Sequence, residues 1–138
     1  MEESSPRIII ADTSGLVSLF HPSDSNHAKA VEAAKRLRNS DTIVLVPVAV
    51  YLELLNILGR IMGHDTAVRV AEEMADHFVI LNNVSSWSLK ASLELFAEAS
   101  GGISHTDCVV MVSCDEYHTH EIFGFDRAFT RLGYRIIA

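Results

Sequence analysis

Basic side chains are scarce in this sequence. Its 138 residues include 11 Lys and Arg against 18 Asp and Glu, a formal charge of −7. Non-specific affinity for nucleic acid comes mainly from Lys and Arg neutralising phosphates, so this balance argues against a general nucleic-acid binder. The objection weakens where carboxylates gather at one metal site, because bound divalent ions reverse the local field. Long apolar runs are missing as well. The longest, Ile43 to Leu52, is broken by Pro47 and falls well short of the ~20 residues a membrane-spanning helix needs. Cysteine is limited to Cys108 and Cys114, which lie on different faces of one helical pattern and are expected as two reduced, buried thiols. The start, Met1-Glu-Glu-Ser-Ser-Pro6, has neither the basic residues nor the apolar stretch of a secretory signal, so a cytoplasmic protein is expected.

What is present is apolar residue in quantity, 49% of the chain, enough for one sizeable core. The expected organisation is a disordered tail over residues 1–6 and a single domain over 7–138. Arg7-Ile-Ile-Ile-Ala-Asp12 reads as a buried strand running into a turn and a helix start at Thr13-Ser-Gly15. Further strands are expected at Thr42–Val46, stopped by Pro47, at Phe78–Leu81, at Glu121–Phe125 and at Tyr134–Ile137. Between them the pattern turns helical over Asn26–Arg38, Val48–Arg60, Asp65–Asp76, Ser85–Ala99 and Ser104–Tyr117, with a short helix from Asp126. Strands that are apolar along their whole length and alternate with helices indicate a parallel sheet covered on both faces. The fold class is therefore α/β, a three-layer α/β/α arrangement with a central, mainly parallel sheet of about five strands.

Chemistry concentrates in the carboxylates. Asp12 and Asp126 each follow a strand, the position where open α/β sheets collect ligands. If those strands are neighbours, the two acids lie about one strand spacing apart, ~4.8 Å, close enough to share a cation. Capping of the following helix is the plain alternative for each. It is stronger still for Asp107, which stands three residues after Ser104 as in a capping box. Glu53 interrupts Val48-Ala-Val-Tyr-Leu-Glu-Leu-Leu-Asn-Ile-Leu58, a helix apolar nearly all round and so expected to be buried, where a lone carboxylate needs a partner such as a metal. Against this, Glu53, Asn56 and Arg60 at i, i+3 and i+7 could form a narrow solvent stripe.

Four segments taken together carry a resemblance. Ile8-Ile-Ile-Ala-Asp-Thr-Ser-Gly-Leu-Val17, Tyr51-Leu-Glu-Leu-Leu55, Ile103-Ser-His-Thr-Asp-Cys-Val-Val-Met111 and Ile122-Phe-Gly-Phe-Asp-Arg-Ala-Phe129 resemble the PIN domain in order and separation. The chain looks most like the VapC-type toxins of prokaryotic toxin-antitoxin modules. The resemblance spans Arg7 to Ala138 and implies an RNA-cleaving enzyme whose acidic metal site is Asp12, Glu53, Asp107 and Asp126. It implies Mg²⁺, with Mn²⁺ as substitute, since hard oxygen ligands suit both. Ser14 and Thr106 stand where members often have small hydroxyl residues beside the site, and Asn56 is a further supporting candidate. An antitoxin partner and a homodimer are implied too. Two positions depart from the pattern: Gly124, where many relatives have Ser or Thr, and His105, where an aromatic or aliphatic residue is frequent.

Arg60, Lys90, Arg127 and Arg131 are candidates to touch an RNA backbone, although ordinary solvated charge explains them equally well. His118-Thr-His120 reads better as an exposed turn than as a metal pair. An aspartyl-phosphate phosphatase matches only at Asp12, because Ser14 stands where that chemistry has its second Asp. FMN binding at Thr13-Ser-Gly15 conflicts with the acidic surroundings. The serious rival is a binding module that keeps the fold and the carboxylates without catalysing anything.

Overall fold

The computed structural model describes residues 5–81 and 85–138. The β-branched run Ile8–Ile10 forms the strand β1 (Arg7–Ala11), as its preference for a pleated, buried surface dictates. It is followed by α1 (Thr13–Phe20), α2 (His27–Arg38), β2 (Thr42–Pro47), α3 (Val48–Met62), α4 (His64–His77) and β3 (Val79–Leu81). Then come α5 (Ser86–Glu98), α6 (His105–Glu116), β4 (Glu121–Phe123), α7 (Ala128–Arg131) and β5 (Arg135–Ile136). The expected α/β class is the observed one: a five-stranded sheet in the order β3-β2-β1-β4-β5, with every neighbouring pair parallel. Of the expected tail, residues 1–4 lie outside the described residues, and Ser5 and Pro6 are exposed.

Ile9, Ile10 and Ala11 are all fully buried. Successive residues of a strand point to opposite faces, so β1 is covered on both. The chain fills one side of β1 with β2 and β3 before returning to the other side with β4 and β5. That reversal leaves a crevice beyond the carboxyl ends of β1 and β4, which pair Ile10 with Ile122 and Ala11 with Phe123. The helix α6, buried continuously from Val110 to Cys114, packs against β1 and β2. Cys108 and Cys114 are free and buried. Burial pushes the Cys114 thiol up to about 12 and raises that of Cys108, so neither is a ready nucleophile.

Two local readings need correction. The helix α3 is not buried all round: Val50, Leu54 and Leu58 are fully buried, while Leu52 and Ile61 are 55% and 51% exposed. Its core stripe follows i, i+4, i+8, α4 packs alongside it, and the remaining face meets solvent. The strand β4 also ends at Phe123, not Phe125. Phe125 leaves the ladder, and its N–H donates to the Ser14 hydroxyl instead. Among the described residues, no helix is long and apolar enough to cross a membrane.

Candidate functional site

The crevice beyond β1 and β4 holds a cleft of about 400 Å³ lined by Asp12, Glu53, Asp107 and Asp126 together. Each acid arrives by a different route. Asp12 extends β1, its N–H donating to Phe123 O at 2.9 Å, and at φ −98° and ψ 157° it is the N-cap of α1. Its Oδ2 accepts from the Ser14 hydroxyl at 2.7 Å and from the Ser14 N–H at 3.3 Å. Asp107 is the third residue of α6, and the capping box is complete. Its N–H donates to Ser104 Oγ at 3.0 Å, and its Oδ2 accepts from Ser104 N at 2.9 Å. Asp126 follows β4 two residues ahead of α7, whose N-cap is Arg127, and its Oδ1 accepts from the N–H of Ala128, the first residue of that helix, at 2.9 Å. Glu53 comes from the middle of α3, where it and Ile57, one turn later, turn the same flank to the cleft.

A bond to a helix N-terminus is thus realised at all three aspartates. It does not exhaust them. Each uses one oxygen to fix its own helix terminus; among the described residues Asp107 Oδ1, Asp126 Oδ2 and both oxygens of Glu53 have no hydrogen-bond partner, while the Asp12 carboxylate has the Thr13 N–H beside it in addition to the Ser14 bonds. The one ion pair among the described residues, Arg7 with Glu121, lies elsewhere. Asp12 is only 3% exposed, and its carboxyl is pushed up from the ordinary 3.8 to about 6. Burial is the chief cause and nearby Asp107 adds to it, while the hydrogen bonds from Ser14 oppose them. The Asp107 carboxyl is raised chiefly by burial, with Asp126 and Glu53 adding to it against the Ser104 bonds. The desolvated acid is therefore Asp12, whereas the sequence pointed to Glu53.

Of the supporting candidates, Ser14 lines the cleft. Thr106 is half-buried at the start of α6. Asn56 is exposed and lines a separate groove between α3 and α4 with Tyr51, Arg60 and His64, because i+3 falls about 60° to one side of Glu53 while Ile57 at i+4 falls about 40° to the other. His105 packs on α5, stacked on Phe96 at 5.2 Å and bonded to Ser92 Oγ at 3.1 Å. Sequence reasoning missed Ser18, Asp24 and Asn26, which extend the cleft wall. Asp24 Oδ2 accepts from Ser18 Oγ at 2.7 Å and Asn26 N at 2.9 Å, bonds that hold its carboxyl below the usual range. The available signal was Ser18 recurring four residues after Ser14 in an otherwise apolar helix.

The donor set suits a hard divalent cation: four carboxylates in one cleft, three of them with an oxygen to spare and none, among the described residues, with a basic neighbour in ion-pair contact. Buried Thr13 Oγ1, in the cleft wall, also lacks a hydrogen-bond partner. Among the described residues, no three of the His, Cys, Asp or Glu side chains are already closed around a common point. Like charges without a cation between them repel, so closure is expected to accompany binding.

A family model described as PIN domain matches residues 9–133. VapC20 of Mycobacterium tuberculosis, a sarcin-ricin loop cleaving toxin, is similar in structure at 22% identity and a TM-score of 0.79, over 92% of this chain and 96% of that one. VapBC2 of Rickettsia felis, bound to a DNA fragment from its promoter, is similar at 14% identity and a TM-score of 0.64, over 90% and 92%. FitAcB of Neisseria gonorrhoeae is similar at 10% identity and a TM-score of 0.59, over 94% and 96%. No curated protein matches the sequence significantly.

Proposed function

The chain belongs to the PIN-domain family, and from that premise we propose that it is a divalent-metal-dependent endoribonuclease, the cytoplasmic toxin of a VapBC-type toxin-antitoxin pair. The observation that carries the reading is the convergence of Asp12, Glu53, Asp107 and Asp126 on one cleft, where among the described residues Glu53, Asp107 and Asp126 each keep an oxygen without a partner. These residues would hold Mg²⁺, or Mn²⁺ in its place. The ion would supply Lewis-acid polarisation of the scissile phosphate and a water acidic enough to serve as nucleophile at neutral pH.

The protein's own part is to aim and to desolvate. Asp12, Asp107 and Asp126 are each fixed through one oxygen by a backbone N–H, which narrows the rotamers they must search as they close on the ion. Burial of Asp12 makes its negative charge costly alone and strongly attractive to a cation. An acidic cleft repels RNA until that charge is offset, which ties substrate entry to metal loading. The activity stated for VapC20, cleavage of the sarcin-ricin loop, supports a structured RNA as the substrate class here.

An antitoxin partner fits the same reading, since VapBC2 is a relative in fold and a basic segment would complement the acidic cleft. A homodimer does too: Leu89, Leu93 and Phe96 recur along one face of α5 at 56%, 56% and 41% exposure, an apolar stripe of the kind that interfaces cover. The rival, a non-catalytic binding module, draws on the helix termini fixed by the three aspartates and on the charge of −7. The two are separated by incubating the protein with RNA in Mg²⁺, Mn²⁺ and excess EDTA. Cleavage that requires the ion and is absent in Asp107→Asn supports the nuclease; cleavage that survives chelation, or none under any condition, refutes it.

A further inference from the structure

Asn26 stands at the N-cap position of α2, yet its side chain takes no part in the cap. The backbone explains why: at φ −100° and ψ 8° the residue is away from the extended conformation in which a capping side chain folds back over its helix. Asp24 satisfies the turn instead, its Oδ2 accepting from the Asn26 N–H at 2.9 Å and from Ser18 Oγ at 2.7 Å. On the other side, His27 Nδ1 donates to Ser18 O at 2.8 Å. Both flanks of Asn26 are thus tied to Ser18, while its own amide makes no hydrogen bond among the described residues. Asn26 is half-buried and lines the cleft that holds the four acids.

Side-chain donors are scarce in that wall. Among the described residues no Lys or Arg lines the cleft, and the hydroxyls of Ser14 and Ser18 are spent on Asp12 and Asp24. Two polar side chains remain: the Asn26 amide and the hydroxyl of Thr13, a residue 7% exposed whose Oγ1 has no partner. A buried polar group left unpaired is costly, so the wall is one that a ligand completes. Ser18 follows Ser14 by four residues, about 6 Å of helix, which sets Asn26 a turn further along α1 than the bond between Ser14 and Asp12. A phosphate at Asn26 would lie beside the Asp24 carboxylate, whose bonds keep it ionised, with no cation to offset the repulsion. A neutral hydroxyl meets no such penalty, and an amide offers donor and acceptor side by side to a group that both donates and accepts. In structured RNA the 2′-hydroxyls line the wide, shallow minor groove, and they are what separates RNA from DNA. We propose that Asn26 binds the ribose 2′-hydroxyl of a nucleotide beside the cut and so makes the cleft select RNA over DNA. The inference rests on the ribonuclease reading above.

The test is a cycle between protein and substrate. Transfer and ribosomal RNA are incubated with wild type in Mn²⁺ and the cut is mapped; a synthetic hairpin carrying that cut is then made all-ribo and with a single 2′-deoxy change at each nucleotide flanking it. At one of these positions the change is expected to lower kcat/KM of wild type by about tenfold, the worth of one well-placed hydrogen bond. Asn26→Ala should lose the same factor on the all-ribo hairpin and nothing further on the deoxy one. Its Mn²⁺ affinity by calorimetry and its urea midpoint should stay at the wild-type values, because the amide serves neither the metal nor the cap. The deoxy scan on wild type needs no variant: if no single change slows cleavage, the contact is overturned. It is overturned as well if Asn26→Ala cuts the all-ribo hairpin like wild type, if its Mn²⁺ affinity falls, or if the two losses multiply to about a hundredfold. In each of those cases the nuclease stands, whereas wild type that cuts no RNA in Mn²⁺ would overturn the ribonuclease reading and the inference with it.

Discussion

Replacing Asp12 with Asn should stabilise the metal-free protein. Burial holds the Asp12 carboxyl at about 6 instead of 3.8. Each unit of such a shift corresponds to about 1.4 kcal/mol, so at neutral pH the ionised form costs about 3 kcal/mol of folding free energy. The group is only 3% exposed, which leaves little solvent screening to reduce that figure. An asparagine keeps an oxygen for the Ser14 hydroxyl and N–H, and its buried amide must find a new acceptor, a cost of about 1–3 kcal/mol where none is found. The net gain expected is about 0–2 kcal/mol, or up to roughly 8 °C in Tm for a domain of this size. The sign follows from linkage: a carboxyl with a raised folded pKa contributes stability below its unfolded value and loses it as pH rises through the folded one. Relative to Asp12→Asn, wild type should therefore weaken between about pH 4 and pH 6 and hold a constant deficit above. Urea denaturation in EDTA at a series of pH values reads this directly. A variant less stable than wild type at pH 7.5, or a difference that does not change with pH, would refute the reasoning.

Other consequences follow from the packing and the caps. Gly15→Ala puts a Cβ 2.5 Å from Phe123 O and 2.7 Å from the Phe123 ring, a clash with backbone that should cost about 3 kcal/mol or more in denaturation experiments by prising α1 from β4. Leu54→Ala removes a fully buried side chain from the stripe of α3 and should cost about 2–5 kcal/mol by the same measurement. Asp107→Asn retains an acceptor for the Ser104 N–H, so its stability should stay within about 1 kcal/mol of wild type while RNA cleavage is lost. A large loss of stability there would mean that the cap was its whole role.

The sheet was legible because its strands are short, continuously apolar and separated by helices of clear period. The adjacency of β1 and β4, which the sequence could state only as a condition, holds in the register of Ala11 with Phe123. The positions of Asp12, Asp107 and Asp126 relative to their helices were legible as well, because capping is a local rule. Their dual use was not. One oxygen spent on a cap says nothing about where the other points until tertiary structure brings four elements together. Glu53 misled for a related reason: apolar neighbours in sequence suggested burial, yet burial of α3 depends on which flank α4 covers. Asp24 escaped notice because the connection between α1 and α2 has no period to read, and Ser18, at helical spacing from Ser14 within α1, gains its place at the cleft wall only through its bond to Asp24.

The central claim is that the four acids bind a divalent ion in order to cut RNA. Calorimetric titration of Mn²⁺ into wild type and Asp12→Asn, with RNA cleavage followed on the same samples, tests it most directly. The account predicts saturable binding and cleavage in wild type, both lost in the variant while its fold is retained. Wild-type protein that binds no Mn²⁺, or a variant that binds and cleaves like wild type, would contradict it and leave the three aspartates as groups that fix helix termini.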